Sequence, residues 1–384
     1  MKAIVTDANN RIALAVARSL GSRGIDIICV EQEQFSKKTP LCFYSKYCKK
    51  GYILADIFSS GDKFIEAIKN IASKGDVLIP VSTGMVDFVS CHSAELSRFV
   101  NFIVPNYESF VLVNDKETVI TFADTLGIPT PKTILVKSKE QVKEISEKIE
   151  YPVVIKIRND SGINLKPGEK YRIAKNSQEL INFCDSLKGI TSEFVIQEYI
   201  RGTGYGFEAF FDANNELKAY FCHRRLREYP VSGGPSSFCE SVKDPQLIDY
   251  GLKLLSGMNW KGVAMVEFKK DFLDNKFKLI EVNPKFWGTL PLAIESGIDF
   301  PFLFYNTALG NKLEVKKEYA AGIKMRFLWL DIPAVIQELL KGKRKLFTLW
   351  SMLKELFNFR IKDGLLSMDD IKPGIMYLIQ RLAK

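Results

Sequence analysis

Histidine is almost absent: His92 and His223 are the two in 384 residues. That leaves little room for histidine-rich metal centres or a Ser-His-Asp arrangement. Seven cysteines (29, 42, 48, 91, 184, 222 and 239) form no C-x-x-C pair and are odd in number. Neither a zinc knuckle nor a disulfide framework is indicated, and a reducing cytoplasm is the expected setting. No run approaches the ~18–20 apolar residues that a spanning helix needs. The first ten residues hold one lysine and a short apolar strand, which is not a signal-peptide pattern. The loop after that strand, Asp7-Ala8-Asn9-Asn10, lacks G-x-G-x-x-G, so no dinucleotide site is expected there. Internal repeats and low-complexity segments are also missing.

What is present is an ordinary globular composition, 46% apolar and 26% charged, over a length that suggests two or three domains. The net charge of +9 is uneven: residues 312–384 hold 15 Lys/Arg against 8 Asp/Glu, and the remainder is near neutral. Lys2–Thr6, Ile12–Leu20 and Ile25–Val30 read as strand, helix, strand, a βαβ unit of a parallel sheet. Asp76–Val81 is another strand and Phe102–Val104 a shorter one. Asn114-Asp115 caps a helix to Leu126. Thr133–Val136, Tyr151–Ile157 and Phe194–Tyr199 read as strands, Glu140–Ile149 and Gln178–Leu187 as helices. Four strands follow: Tyr205–Asp212, Leu217–Arg224, Val263–Lys269 and Lys276–Val282, with hairpin turns at Asn214-Asn215 and Asp274-Asn275. From about residue 313 the pattern is helical and basic.

Five features carry chemistry. Strand alternation places Glu267 on one face of its strand, and Glu281 with Asn283 on one face of the next. As antiparallel neighbours they would converge as hard oxygen ligands suited to Mg²⁺ shared with phosphates. Lys156 lies inside an apolar strand, where a lone charge is costly. Lys116 opens a helix, where the dipole disfavours a cation; a solvated lysine is the plainer reading there. The loop Arg158–Lys170, with Ser161-Gly162, suits backbone contacts to phosphate. Gln197-Glu198-Tyr199-Ile200 ends a strand and runs into glycines, offering backbone groups to a flat base. Finally, His223-Arg224-Arg225 leads into Gly233-Gly234, cations beside a flexible turn. Ser82-Thr83 follows a parallel strand, where α/β sheets bind ligands.

In this order the features resemble the ATP-grasp superfamily, over roughly residues 1–310, and its carbamoyl-phosphate-synthase-like branch. The resemblance implies an N-terminal parallel α/β (pre-ATP-grasp) domain over 1–113, ATP-grasp lobes over 114–200 and 201–312, and a basic helical region over 313–384. It implies ATP contacts from Lys116, Lys156, Ser161, Gly162, Gln197, Glu198, Tyr199 and Ile200. Tyr205 stands where the acidic ribose ligand is expected, with Glu208 nearby. Metal ligands would be Glu267, Glu281 and Asn283, for Mg²⁺ with Mn²⁺ as an alternative. Arg225, Lys285 and His223 would serve the reaction, Lys285 replacing the arginine usual after Asn-Pro. Ser82, Thr83, Gly233 and Gly234 would contact substrate.

The implied activity is an ADP-forming carboxylate–amine ligase acting on small molecules through an acyl phosphate. The alternatives are a regulatory ATP-binding protein without turnover and a carboxylase-type subunit. A homodimer is one expected assembly, and nucleic acid is not an expected partner. In the tail, Leu346, Leu349, Trp350, Leu353, Leu356 and Phe357 share a helical face after the cluster Lys341–Lys345. That suggests peripheral attachment to an anionic membrane or a protein; packing on the core is the plainer reading.

Overall fold

A computed structural model describes residues 1–158, 171–186, 193–231, 233–341, 350, 354–355, 358 and 360–382. Three sheets organise them. The first holds β1 (Ala3–Val5), β2 (Ile27–Gln32), β3 (Cys48–Leu54) and β4 (Val77–Ile79), all parallel in the order β3-β2-β1-β4. Asn10 caps the helix Arg11–Gly21, its side chain accepting from the Ile12 N–H at 2.9 Å. That helix is rich in Ala and Leu and buried along most of its length, which suits an element covered on both sides. The expected strand at Phe102–Val104 is reduced to a single bridge between Val77 and Asn101. Pro105 follows directly and lacks the N–H that would continue a ladder.

The second sheet is antiparallel: β5 (Thr133–Val136), β6 (Val153–Ile157), β7 (Tyr171–Ala174) and β8 (Phe194–Glu198), ordered β5-β8-β6-β7. It packs on the helices Lys139–Ser146 and Ser177–Ser186 around a core of its own, including Ile155, Leu180, Phe183 and Phe194.

The third sheet contains β9 (Gly202–Phe211), β10 (Leu217–Glu228), β11 (Ser236–Ser241), β12 (Gly262–Asp271), β13 (Phe277–Asn283), β14 (Lys324–Arg326) and β15 (Lys362–Asp363). The order is β13-β12-β9-β10-β11-β14-β15, antiparallel except for the parallel β14–β15 pair. Asn215 and Asn275 have φ of 63° and 58°, the left-handed turn positions their sequence predicts. One face packs on the first domain through Phe210, Phe221, Val263 and Met265. The other buries Phe207, Phe211, Val266 and Phe268 against the helices Lys116–Thr125 and Pro245–Gly257.

The region after 313 is not purely helical. β14 and β15 extend the third sheet, and the helices Leu328–Lys341 and Ile371–Leu382 pack around it. The reason for docking is electrostatic as well as apolar. Arg227 Nε donates to Asp331 at 2.8 Å, and its Nη2 reaches Glu355 at 2.6 Å. Arg18 Nε donates to Asp370 at 2.9 Å, which also accepts from Ser45 Oγ at 2.7 Å. The amphipathic face expected over 346–357 lies mostly outside the described residues; Trp350 is exposed. The two described tail helices dock on the core but leave Ile336, Leu340, Ile375 and Ile379 open to solvent.

Asp331 is buried, accepts two hydrogen bonds from Arg227 and one from Ser237 Oγ at 3.1 Å. Asp331→Asn keeps the volume and removes the charge. Loss of charge-assisted bonds predicts destabilisation of about 2 kcal/mol, measured by urea denaturation of both proteins.

Candidate active site

The third sheet changes character along one face. From Phe210, Phe221 and Met265 inward it is apolar; beyond them the same face carries His223, Arg225, Glu267, Lys269, Glu281 and Asn283. Register sets this. Glu267 pairs with Glu281, Met265 with Asn283, and Gly206 lies between His223 and Glu267. The alternation Gly202-Thr-Gly-Tyr-Gly-Phe-Glu208 removes side chains from that face of β9. A Cβ on Gly206 would lie 2.4 Å from His223 Cε1, and one on Gly204 2.8 Å from Arg225 Cδ. The glycines make room for long side chains from the neighbouring strands.

Glu267, Glu281 and Asn283 are brought together. Asn283 Nδ2 donates to Glu267 Oε1 at 3.1 Å and to Glu281 Oε1 at 3.3 Å. The other Glu267 oxygen pairs with Arg225 Nη2 at 2.7 Å. Arg225 Nη1 donates to Glu228 Oε1 and to the Gly234 carbonyl, both at 3.2 Å. Burial raises the Glu267 carboxyl; Arg225 opposes this and Glu281 adds to it. Burial also works against the Arg225 charge, but Glu267 and Glu228 outweigh it and hold it above its ordinary value.

Across from these groups the second sheet presents Lys156. Its Nζ donates to Gln197 Oε1 at 3.1 Å, and Gln197 Nε2 donates to Thr133 Oγ1 at 3.1 Å. Burial lowers the Lys156 pKa, Glu281 pulls it back up, and Lys116 lowers it further. The two lysines therefore act on one another and on the carboxylates. Lys116 is held near by Arg158, whose carbonyl accepts from Lys116 Nζ at 3.4 Å. Arg158 in turn pairs with Asp115 at 3.0 Å and Glu117 at 2.7 Å, at the start of the helix that Lys116 opens.

At the end of β8, the Glu198 N–H donates to the Lys132 carbonyl at 2.8 Å, and the Lys132 N–H donates to the Glu198 carboxylate at 3.2 Å. The buried Ile200 offers its carbonyl to Lys269 Nζ at 3.3 Å, and that ammonium lies 5.2 Å from the Tyr199 ring centre. Tyr171 donates to the Gly233 carbonyl at 2.8 Å, linking the second sheet to the Gly-Gly turn. Lys285 follows in the Asn-Pro-Lys turn, its N–H donating to Asn283 O at 2.9 Å. Ser161 and Gly162 lie outside the described residues.

Tyr205 and Glu208 do not join the cluster at its open end. Tyr205 is on the opposite face of β9, edge-on to Phe277 at 5.1 Å, because it alternates with the glycines. Glu208 is fully buried beneath the site, 2.5 Å from His223 Nδ1. Glu208 has no exposed surface to offer a ligand. Ser82 and Thr83 belong to the first domain, at the start of the helix Thr83–Cys91, where Ser82 Oγ accepts from Met85 N–H at 3.2 Å. Sequence reasoning missed Glu228, Lys269 and Tyr171. Lys269 was within reach of the period-two rule, two residues past Glu267; the other two depend on which strands meet.

Two family models match: "RimK-like ATP-grasp domain" over residues 113–206 and "ATP-grasp in the biosynthetic pathway with Ter operon" over 191–330. Residues 113–330 of the chain thus match ATP-grasp domains. It is 23% identical over 302 residues to D-aspartate ligase of Enterococcus faecium, covering 73% of this chain and 71% of that protein. It is also 23% identical to the carbamoyl phosphate synthase large chain of a Thermoanaerobacter species, covering 73% of this chain but 26% of that protein. Thus it spans about a quarter of that relative. The fold is shared with biotin carboxylase of Campylobacter jejuni, with a TM-score of 0.64 and 20% identity, over 81% of this chain and 72% of that one.

Near Ser82 the carboxyl ends of β1 and β2 carry two buried acids. Asp7, at φ 58°, accepts from Ser82 N–H at 2.9 Å; Glu31 accepts from the N–H groups of Asn9 and Gln32 at 2.7 and 2.8 Å. Burial pushes Glu31 up to about 7, against those two bonds and with some help from Asp7. A carboxyl raised in the fold binds its proton when the unfolded chain has lost it. Stability from this group is therefore full below about pH 4.5 and declines up to pH 7. Relative to Glu31→Gln, the wild type should lose about 3 kcal/mol across that window and nothing above it, measured by urea denaturation at several pH values.

Proposed function

We propose that this chain is an ATP-dependent carboxylate–amine ligase that activates a small carboxylate as an acyl phosphate, releases ADP, and forms an amide with release of phosphate. The observation that supports this most is the facing arrangement of Lys156 and Lys116 with Glu267, Glu281 and Asn283, with Arg225 already on Glu267. No side-chain nucleophile is needed: a carboxylate oxygen of the substrate attacks the γ-phosphorus, ADP departs, and the amine then displaces phosphate at the acyl carbon. Positioning and charge neutralisation supply most of the rate in such a transfer.

The residues suit those tasks. Lys156 from the second sheet and Lys116 from the start of its helix neutralise phosphate oxygens. Glu198, Tyr199 and Ile200 line the place for the base. Glu267, Glu281 and Asn283 are hard oxygen donors that fit Mg²⁺, and the bound ion would neutralise charge on the phosphates. Among the described residues no three His, Cys, Asp or Glu side chains converge on one metal position. Two carboxylates and an amide match an ion that takes its remaining ligands from phosphate and water. Arg225 is placed to stabilise charge on the transferring phosphoryl group. His223 and Glu208, locked together beneath it, hold the strand geometry on which Arg225 stands.

Glu281→Ala should reduce ADP formation by more than 100-fold with the far-ultraviolet circular dichroism unchanged; unaltered phosphate release would overturn the assignment. Arg225→Lys keeps the charge but loses the planar fork. It should lower kcat about tenfold or more while ATP affinity changes little, read by steady-state kinetics and nucleotide titration. With the correct carboxylate, hydroxylamine should trap a hydroxamate. AMP and pyrophosphate as products would contradict the reading.

A further inference from the structure

A second concave feature adjoins this site and belongs to no residue set discussed so far. It is a cavity of about 150 Å³ between the first domain, the Gly-Gly turn and the tail helices. Since a water occupies roughly 30 Å³ in the liquid, the space suits one small organic molecule. Its polar lining comprises Arg11, Arg381, Trp329 and Tyr377, and its apolar wall includes Leu330 and Leu365.

The lining is rich in donors and holds no carboxylate. The described contact of the Arg11 guanidinium is the Phe327 ring, 4.4 Å to the centroid. Arg381 lies over the Tyr377 ring at 5.0 Å. Among the described residues no acid forms an ion pair with either. Asp363, the carboxylate that acts on Arg11 electrostatically, is engaged elsewhere, accepting from the N–H groups of Leu328, Leu365 and Leu366 at 2.9, 2.8 and 2.7 Å. The indole N–H of Trp329 is buried without a partner. A buried donor left without an acceptor destabilises the fold, and a guanidinium facing an apolar wall gains from a planar anion that meets its fork. Burial lowers the Arg11 pKa, the cost that such an anion offsets.

The cavity shares walls with the reacting centre. Pro235 lines it and follows Gly234, whose carbonyl accepts from Arg225. Arg11 Nη2 lies 2.7 Å from where a Cβ on Gly288 would stand, in the turn after Asn283.

We propose that this cavity binds the carboxylate end of an amino-acid-sized molecule, with Arg11 and Arg381 as its anion anchors and Trp329 as a further donor. Its use for a substrate carboxylate rests on the ligase reading; the binding site itself does not. The apolar wall favours a carbon-bearing carboxylate over inorganic phosphate.

The test uses the full chain without nucleotide, titrated calorimetrically with the twenty amino acids, benzoate and inorganic phosphate. At least one carboxylate should bind, its uncharged amide should not, and phosphate should bind at least tenfold more weakly. Arg381→Gln alters an exposed position, and Gly288→Ala places a methyl against the flexible end of Arg11. Each should weaken carboxylate binding at least tenfold, as should Arg11→Gln if it folds. Binding by no probe, equal binding of phosphate, or unchanged affinity in both Arg381→Gln and Gly288→Ala would overturn the site. Carboxylate binding that is lost in the variants, from a protein that never forms ADP with any carboxylate, would overturn the ligase reading and support this one.

Discussion

The ion pair between Arg225 and Glu267 depends on a strand that has given up its own side chains. Arg225 comes from β10 and Glu267 from β12, on either side of β9, and they meet across it because Gly204 and Gly206 leave that face bare. A larger residue on β9 would separate the two charges and leave each buried without its counterpart, a situation that costs several kcal/mol. Asn283 and Glu228 are positioned by the same pair, one on each side. The charged end of the sheet is thus one connected network resting on the buried Glu208–His223 pair below.

Around this network the three sheets divide the work. The third sheet supplies the acids and Arg225. The second supplies Lys156 from a strand whose other residues are apolar, so that its charge has one direction in which it is satisfied. The first domain and the tail close the remaining side, and they are bound to one another at Asp370 through Arg18 and Ser45. Residues more than 300 positions apart in the chain form one wall.

Legibility in the sequence followed the strength of local pattern. β12 and β13 alternate cleanly, so the faces of Glu267, Glu281 and Asn283 could be read before their partners were known, and Lys156 stood out as a charge in an apolar run. β11, Ser236-Ser-Phe-Cys-Glu-Ser241, gave no such signal, because its burial comes from β10 and β14 rather than from apolar side chains. β3 was hidden by Lys49, Lys50 and Gly51, which suit an edge strand. Tyr205 occupies the chain position expected of a ribose ligand, but strand alternation turns it to the opposite face of β9. Arg11 gave no sign at all, since its surroundings come from the far end of the chain.

The second sheet keeps a hydrophobic core of its own, separate from those of the other two. Among the described residues, the bridges that join it to the rest include polar ones: Arg158 to Asp115 and Glu117, Tyr171 to Gly233, and Lys278 to Glu198 at 3.9 Å. Water can replace such contacts at small cost, whereas parting an apolar seam would expose oily surface. The lobe can therefore tilt as a unit about its chain connections, carrying Lys156 towards or away from Glu281 while its own core stays packed.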